Sequence, residues 1–227
     1  MKLVAKNLCK AFQAPVKIDI LKNINLEVGN QESVAIMGTS GVGKSTLLHI
    51  LGTLEKPDSG SIAFGEDPHQ NLAQIRNNDV GFIFQSFFLI DHLTVLQNVL
   101  MPARIARKSI NKKSQAYHRA LDLLKRVGLF DRRNQLAKTL SGGEKQRACI
   151  ARALCNNPSF IFADEPTGNL DQETSKTVQD LLLETIRTEK KSLIIVTHDE
   201  KFAACCDRVY HLKGGELTQD EACFFFD

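Results

Sequence analysis

Gly38-Thr39-Ser40-Gly41-Val42-Gly43-Lys44-Ser45-Thr46 has the form G-x-x-x-x-G-K-[ST]. Ahead of it, Ser33-Val34-Ala35-Ile36-Met37 reads as a short buried strand. Behind it, Thr46-Leu47-Leu48-His49-Ile50-Leu51 reads as a helix. A strand, a glycine-rich turn and a helix N-terminus make an anion site, because free backbone N–H groups and the positive end of the helix dipole point at one spot. Gly38, Gly41 and Gly43 let the backbone take positive φ and approach phosphate oxygens closely. In such a P-loop, Lys44 reaches the β- and γ-phosphates and the Ser45 hydroxyl holds Mg²⁺. The stretch predicts a chain that binds ATP or GTP.

The bulk composition narrows what surrounds this loop. With 227 residues there is room for one large domain, or a domain with a sub-domain. Hydrophobic residues at 43% and charged residues at 24% are ordinary for a globular protein and argue against overall disorder. A formal net charge of +3 is too mild to point to nucleic acid. The longest mostly apolar run, Val80 to Ile90, is broken by Gln85 and Ser86 and is too short to span a bilayer. Met1-Lys2-Leu3-Val4-Ala5-Lys6 lacks the apolar core of a signal peptide. The expectation is a cytosolic chain whose membrane role, if any, runs through a partner. Cysteines at 9, 149, 155, 205, 206 and 223 include no C-x-x-C and are expected to be small buried hydrophobes in a reducing compartment.

Residues 1–30 alternate like strands, at Leu3, Ala5, Ile18, Ile20, Ile24, Leu26 and Val28, with a turn at Gly29-Asn30. This predicts an antiparallel layer laid before the P-loop strand. Phe12 is the one large aromatic ahead of the P-loop; it either stacks on an adenine ring or fills the core. Ser61-Ile62-Ala63-Phe64 reads as a strand, residues 65–79 as polar and turn-rich, and Gly81-Phe82-Ile83-Phe84 as a second apolar strand ending at Gln85. From Thr94 the period becomes helical, Thr94 and Gln97 forming a capping-box pattern. Residues 104–127 read as a basic helix, either a solvated face or a contact for anionic lipid head groups, and Gly128 ends it. A helix from Ser141 stops at Asn156-Asn157-Pro158. Further strands at Phe160–Ala163 and Leu193–Val196, a helix from Gln172 to Arg187, and a closing hairpin over 209–217 complete the pattern. Alternating strands and helices imply an α/β fold with a mainly parallel sheet. Cys223-Phe224-Phe225-Phe226 either tucks against the body or forms a contact surface.

Phe160-Ile161-Phe162-Ala163-Asp164-Glu165 is the second carrier of chemistry. A carboxylate ending an apolar strand in a P-loop protein fits the Mg²⁺-side Asp, here Asp164. Glu165 turns the other way and is suited to polarise a water aimed at the γ-phosphate. Lys44 and Asp164 lie about 120 residues apart, far more than a simple crossover needs, so a sub-domain is inserted between them. That insert carries Leu140-Ser141-Gly142-Gly143-Glu144, a helix start with Ser141 as N-cap and Glu144 as its reciprocal partner. Two glycines in a first turn are poor for helix stability, by about 1 kcal/mol each against Ala. They make sense where the backbone must approach something closely, as at a second phosphate-binding surface.

With the P-loop, Leu140–Glu144, Asp164-Glu165 and His198 in this order and spacing, the chain resembles the nucleotide-binding subunit of an ABC transporter over nearly its whole length. The resemblance implies a P-loop NTPase of ABC ATPase type: an α/β fold with a parallel core sheet, an N-terminal antiparallel β layer and an inserted α-helical sub-domain. It implies one ATPase domain over 1–227, with 1–90 and 156–227 as nucleotide-binding core and 91–155 as the helical signature sub-domain. It also implies ATP and Mg²⁺, bound by a head-to-tail homodimer with ATP at the interface. Ser141, Gly142, Gly143 and Glu144 of one copy then close on nucleotide held by residues 38–46 of the other. Gln85 would sense Mg²⁺ and the attacking water, and His198 would hydrogen-bond the γ-phosphate. Asn169-Leu170-Asp171 would cross the dimer interface, and Phe12 would take the place of the adenine-stacking aromatic.

Ala163 to Asp171, Gly81 to Gln85 and Thr94 to Val99 are similar to the ATPases of lipoprotein-releasing systems and macrolide-type exporters. Gln97 stands where that subgroup usually has Glu, and Ser86–Ile90 departs from its common pattern. The resemblance implies a peripheral subunit on the cytoplasmic side of the inner membrane, with a membrane permease in a groove near 86–101 and no nucleic acid. Lipoprotein release is the first expectation. Macrolide or peptide efflux and an ATP-dependent regulatory module of a cell-division complex are the alternatives. A non-transport ABC ATPase would need a long coiled-coil insert or a second cassette, and neither is visible.

Overall fold

The computed structural model describes residues 1–13, 17–65 and 71–220. The alternating N-terminal segment forms β1 (Leu3–Gln13) and β2 (Lys17–Val28), antiparallel, with Leu3 opposite Val28, Ala5 opposite Leu26 and Leu8 opposite Ile24. These six side chains are buried, which sets the register, since a one-residue slip would turn them all outward. β3 (Ser33–Met37) leads through the glycine-rich turn into α1 (Lys44–Leu51). β4 (Ser59–Phe64) then pairs antiparallel with β1, giving the order β2-β1-β4. α2 (Leu72–Asn78), β5 (Val80–Ile83), α3 (Val95–Val99), α4 (Met101–Ile105), α5 (Gln115–Arg126) and α6 (Gly142–Leu154) follow. The chain continues through β6 (Phe160–Asp164), α7 (Gln172–Thr188), β7 (Ser192–Val196), α8 (Glu200–Ala203), β8 (Arg208–Lys213) and β9 (Glu216–Gln219).

These elements divide into two compact units, residues 1–72 with 192–227, and residues 73–191. In the first, β3 runs parallel to both β7 and β8, and β9 closes a hairpin on β8. β3 and β7 are buried along almost their whole length, as expected for parallel strands covered on both faces. In the second, β5 and β6 pair in parallel with Phe82 opposite Phe162. Helices α3 to α6 all fall in the chain between these two strands, so the inserted helical region is present.

Several details differ from the sequence reading. Residues 72–78 are a helix rather than a turn-rich stretch; only Ile75 of α2 is buried, too little to set up a period. The helix expected over 104–127 is broken. α4 ends at Ile105, Arg107 takes φ 55, and Ser114 caps a new helix by accepting from the Tyr117 N–H. Phe12 is not a core residue, being 47% exposed. Of the described cysteines only Cys149 and Cys155 are buried, while Cys205 is exposed and Cys9 and Cys206 are half-buried. The expectation for Cys223–Phe226 lies outside the described residues, as does the 66–70 part of the stretch read as turn-rich.

Candidate active site

The first unit carries the glycine-rich loop expected to bind phosphate. Gly43 is the N-cap of α1 at φ 107, and no side chain caps that helix or places an acid in its first turn. The N-terminus of α1 therefore carries neither a side-chain cap nor an acid of its own, which suits an anion. Only glycine serves at two positions. A Cβ on Gly43 would lie 2.4 Å from the Ile20 methyl, and one on Gly38, at φ 152, would lie 2.6 Å from the Leu212 carbonyl oxygen. Lys44 is buried, and its ammonium donates to the Gly38 and Thr39 carbonyls at 2.9 and 3.1 Å. The ammonium is thus held inside the loop whose phosphates it is expected to meet.

β7 brings His198 to the same end of this sheet. Ile36 and Val196 are register partners, so Gly38 and His198 each lie two residues past a paired position. The Thr197 N–H still bonds the Ile36 carbonyl, and His198 beyond it is exposed. Phe12 lies opposite Ile18 on β2, the strand whose Ile20 methyl stands against Gly43, with the Lys10 ammonium 5.8 Å from its ring centre. Glu55 binds that ammonium at 2.9 Å and raises its pKa, with burial opposing.

The second unit carries the acidic end. Ile83 and Ala163 are partners across β5 and β6, so Gln85 and Glu165 again lie two residues past a paired position, at one end of the pair. Glu165 follows Asp164 at φ 42, a left-handed conformation unusual for glutamate. The turn is held by the Gly168 N–H on the Glu165 carbonyl, at 3.0 Å. Asn169 donates its amide to the Gln85 carbonyl at 2.9 Å, tying the two strand ends together. Asp171 caps α7 by accepting from the Thr174 N–H; that bond is the main cause of its lowered pKa.

The capping box at the start of α6 forms as the sequence predicts. The Glu144 N–H donates to the Ser141 hydroxyl, and the Ser141 N–H donates to Glu144 Oε2 at 2.9 Å. Glu144 Oε1 pairs with Arg132 at 2.8 Å. Burial is the largest influence on this carboxyl and pushes its pKa up. The Ser141 hydrogen bonds and the Arg132 and Arg147 charges outweigh it, so the net shift is downward. The two glycines have a neighbour within the chain. A Cβ on Gly143 would lie 2.5 Å from the Thr174 methyl, and one on Gly142 would lie 3.1 Å from Leu170. The close approach inferred from this pair is met first by the start of α7.

The second unit contains a cavity of about 280 Å³, with Phe82, Phe84, Phe88, Met101, Pro102 and Ile105 among its lining; Phe88 and Met101 fall in the 86–101 stretch where a groove is expected. Phe162, Phe82, Phe84 and Phe88 form successive ring contacts with centroids 5.2 to 5.4 Å apart, from the buried strand to a ring that is 67% exposed. Phe88 is held at φ 46, and Arg152 donates to the Phe87 and Phe88 carbonyls. The sequence signal for the aromatic lining is the density of Phe residues over 82–88.

Among the described residues no helix is long and apolar enough to cross a membrane, and no three His, Cys, Asp or Glu side chains gather as a metal cluster. The family model described as ABC transporter matches residues 21–168. The "Lipoprotein-releasing system ATP-binding protein LolD" of Protochlamydia amoebophila is 50% identical over 95% of this chain and 95% of its own length. Its namesake from Geobacter metallireducens is 46% identical over 90% of this chain and 92% of its own length. A solved structure described as "Dimeric Structure of MJ0796, a Bacterial ABC Transporter Cassette" superposes with a TM-score of 0.85 at 37% identity, covering 97% of this chain and 99% of that one. A post-hydrolysis state of the same cassette, bound to ADP and Pi, gives a TM-score of 0.85 at 38% identity over 99% of this chain and 100% of that one. A glycine-rich loop opening α1, an acid ending β6 with a second directly after it, and a match of this extent agree: the chain belongs to the ABC transporter family, as its ATP-binding ATPase component.

Proposed function

We propose that this chain hydrolyses ATP as one of two head-to-tail copies and thereby drives a separate membrane subunit that releases lipoproteins from the inner membrane. The observation that carries the reading is the near-full-length likeness to lipoprotein-releasing system ATP-binding proteins. The chain works at the cytoplasmic face of that membrane, as a peripheral subunit. Residues 1–90 and 156–227 act as the nucleotide-binding core, and 91–155 as the helical signature sub-domain.

Residues 38–46 hold the phosphates, Thr39, Ser40, Val42 and Thr46 through backbone N–H groups and Lys44 through its ammonium. The exposed ring of Phe12 stacks on the adenine. Ser45, Asp164 and Gln85 offer the hard oxygen donors that Mg²⁺ prefers, and when bound that ion neutralises charge on the phosphates. Glu165 orients the attacking water and accepts its proton. His198 donates to a γ-phosphate oxygen. Ser141, Gly142 and Gly143 of the second copy present the α6 N-terminus to the same phosphates, and Glu144 keeps that terminus shaped. Asn169-Leu170-Asp171 lies at the dimer interface.

Gln85 begins the segment that runs into the aromatic-lined cavity at Phe88, so a change at the phosphates has a short covalent route to that groove. A partner element docked near 86–101 would be moved as the dimer closes and reopens. The experiment is ATPase turnover of the purified chain with and without its detergent-solubilised membrane subunits, assayed together with release of an inner-membrane lipoprotein. Turnover stimulated by those subunits and coupled to release supports the reading. Turnover with no release in the complete assembly contradicts it.

A further inference from the structure

Between Asp91 and Asp122 the chain has no acidic residue, and Arg104, Arg107, Lys108, Lys112 and Lys113 fall within ten residues of it. These five cations exceed the whole chain's formal net charge of +3, so the rest of the chain is net acidic. All five side chains are exposed, and none makes an ion pair among the described residues. The neighbouring basic residues differ: Arg119 and Arg126 pair with Glu189, and Lys125 with Asp122. The segment is ordered by its own backbone. The Arg107 N–H bonds the Arg104 carbonyl, the Lys108 N–H bonds the Ala103 carbonyl, and Asn111 accepts from the Lys113 and Ser114 N–H groups. Two aliphatic side chains stand among the charges, Ile105 at 63% and Ile110 at 36% exposure.

We propose that Arg104–Lys113 is a contact surface for anionic phospholipid, its cations binding headgroup phosphates while Ile105 and Ile110 enter the interface. The charge complements a negatively charged leaflet, where each surface cation strengthens binding about five-fold. Aliphatic side chains between cations suit a surface with acyl chains beneath it. Residues 104–113 contain no aromatic ring on which a nucleobase would stack, which disfavours a single-stranded nucleic acid. The contact is a property of the chain itself and adds to whatever the membrane subunit contributes.

The test is co-sedimentation of the purified full chain with vesicles of phosphatidylglycerol mixed into phosphatidylcholine, and with phosphatidylcholine alone. Binding is expected only to the anionic vesicles and should weaken as salt rises. Lys112→Gln with Lys113→Gln should lower affinity roughly 25-fold. Ile110→Ser should lower it with little change in salt dependence, and Lys176→Gln, which removes a cation paired with Asp180, should change nothing. All the substituted side chains are exposed, and circular dichroism checks that each variant is folded. Should the double variant not fold, Arg104→Gln with Arg107→Gln removes the same charge from the other end of the segment. Equal binding to both vesicle types, or unchanged binding by the charge variants, overturns the proposal. So does a wild-type chain that ignores vesicles while the charge variants lose only their hold on the membrane subunit in detergent. That outcome assigns the segment to an acidic protein surface instead.

Discussion

Glu165 is held in a left-handed conformation directly after the last residue of β6. A glutamate there is less stable than in an extended conformation by about 1–2 kcal/mol. The Gly168 N–H on its carbonyl and the strand before it keep it there. The backbone at Glu165 thus departs from the strand that ends at Asp164, in keeping with the different roles proposed for these two neighbouring acids. Glu165→Gln keeps the shape and removes the proton acceptor. Its turnover should fall at least about 100-fold, with ATP affinity within roughly three-fold of wild type. Single-turnover hydrolysis and a nucleotide-binding assay check this; near-normal turnover would remove the base assignment. As candidates, Lys44, Ser45, Asp164 and Glu165 were legible because motif and strand end are local in sequence. The Gly38 and Thr39 carbonyls holding Lys44 were not, because they depend on how the loop folds back.

At the scale of elements, caps were readable and breaks were not. Thr94 with Gln97 and Ser141 with Glu144 form the expected reciprocal hydrogen bonds, since a capping box needs only four residues. The break after Ile105 escaped notice because it rests on backbone bonds among 103–114 that carry no apolar period. The glycines opening α6 were recognised as marking a close approach, but the intramolecular partner, Thr174 on α7, is 31 positions away along the chain. That contact gives a direct test. Gly143→Ala should destabilise the chain by about 1–3 kcal/mol, because its new Cβ meets the Thr174 methyl. Thr174→Ser removes that methyl and keeps the N–H that Asp171 caps. The double variant should therefore recover at least about 1 kcal/mol, read by urea unfolding as a double-mutant cycle. Strict additivity would show that the two residues do not meet.

For the whole molecule, the parallel register is what the sequence could not display. Gly38 with His198, and Gln85 with Glu165, reach common strand ends because Ile36 pairs with Val196 and Ile83 with Ala163. Partners separated by 80 to 160 positions become neighbours only through sheet pairing. The cavity lined by Phe84, Phe88 and Met101 draws on several elements in the same way. The central claim reaches further: the P-loop of one copy is completed by residues 141–143 of another. Closed two-fold assembly makes such sharing reciprocal, so damage to opposite halves in two copies leaves one site intact. The decisive measurement is the ATPase rate of a mixture of Lys44→Ala and Ser141→Arg chains. Each is first verified as folded, because the Ser141 substitution also removes the α6 cap. Each variant alone should be inactive, and the equimolar mixture should recover roughly a quarter of wild-type turnover, from one working site in half of the dimers. Normal hydrolysis by Ser141→Arg alone, or no recovery on mixing, would contradict the account.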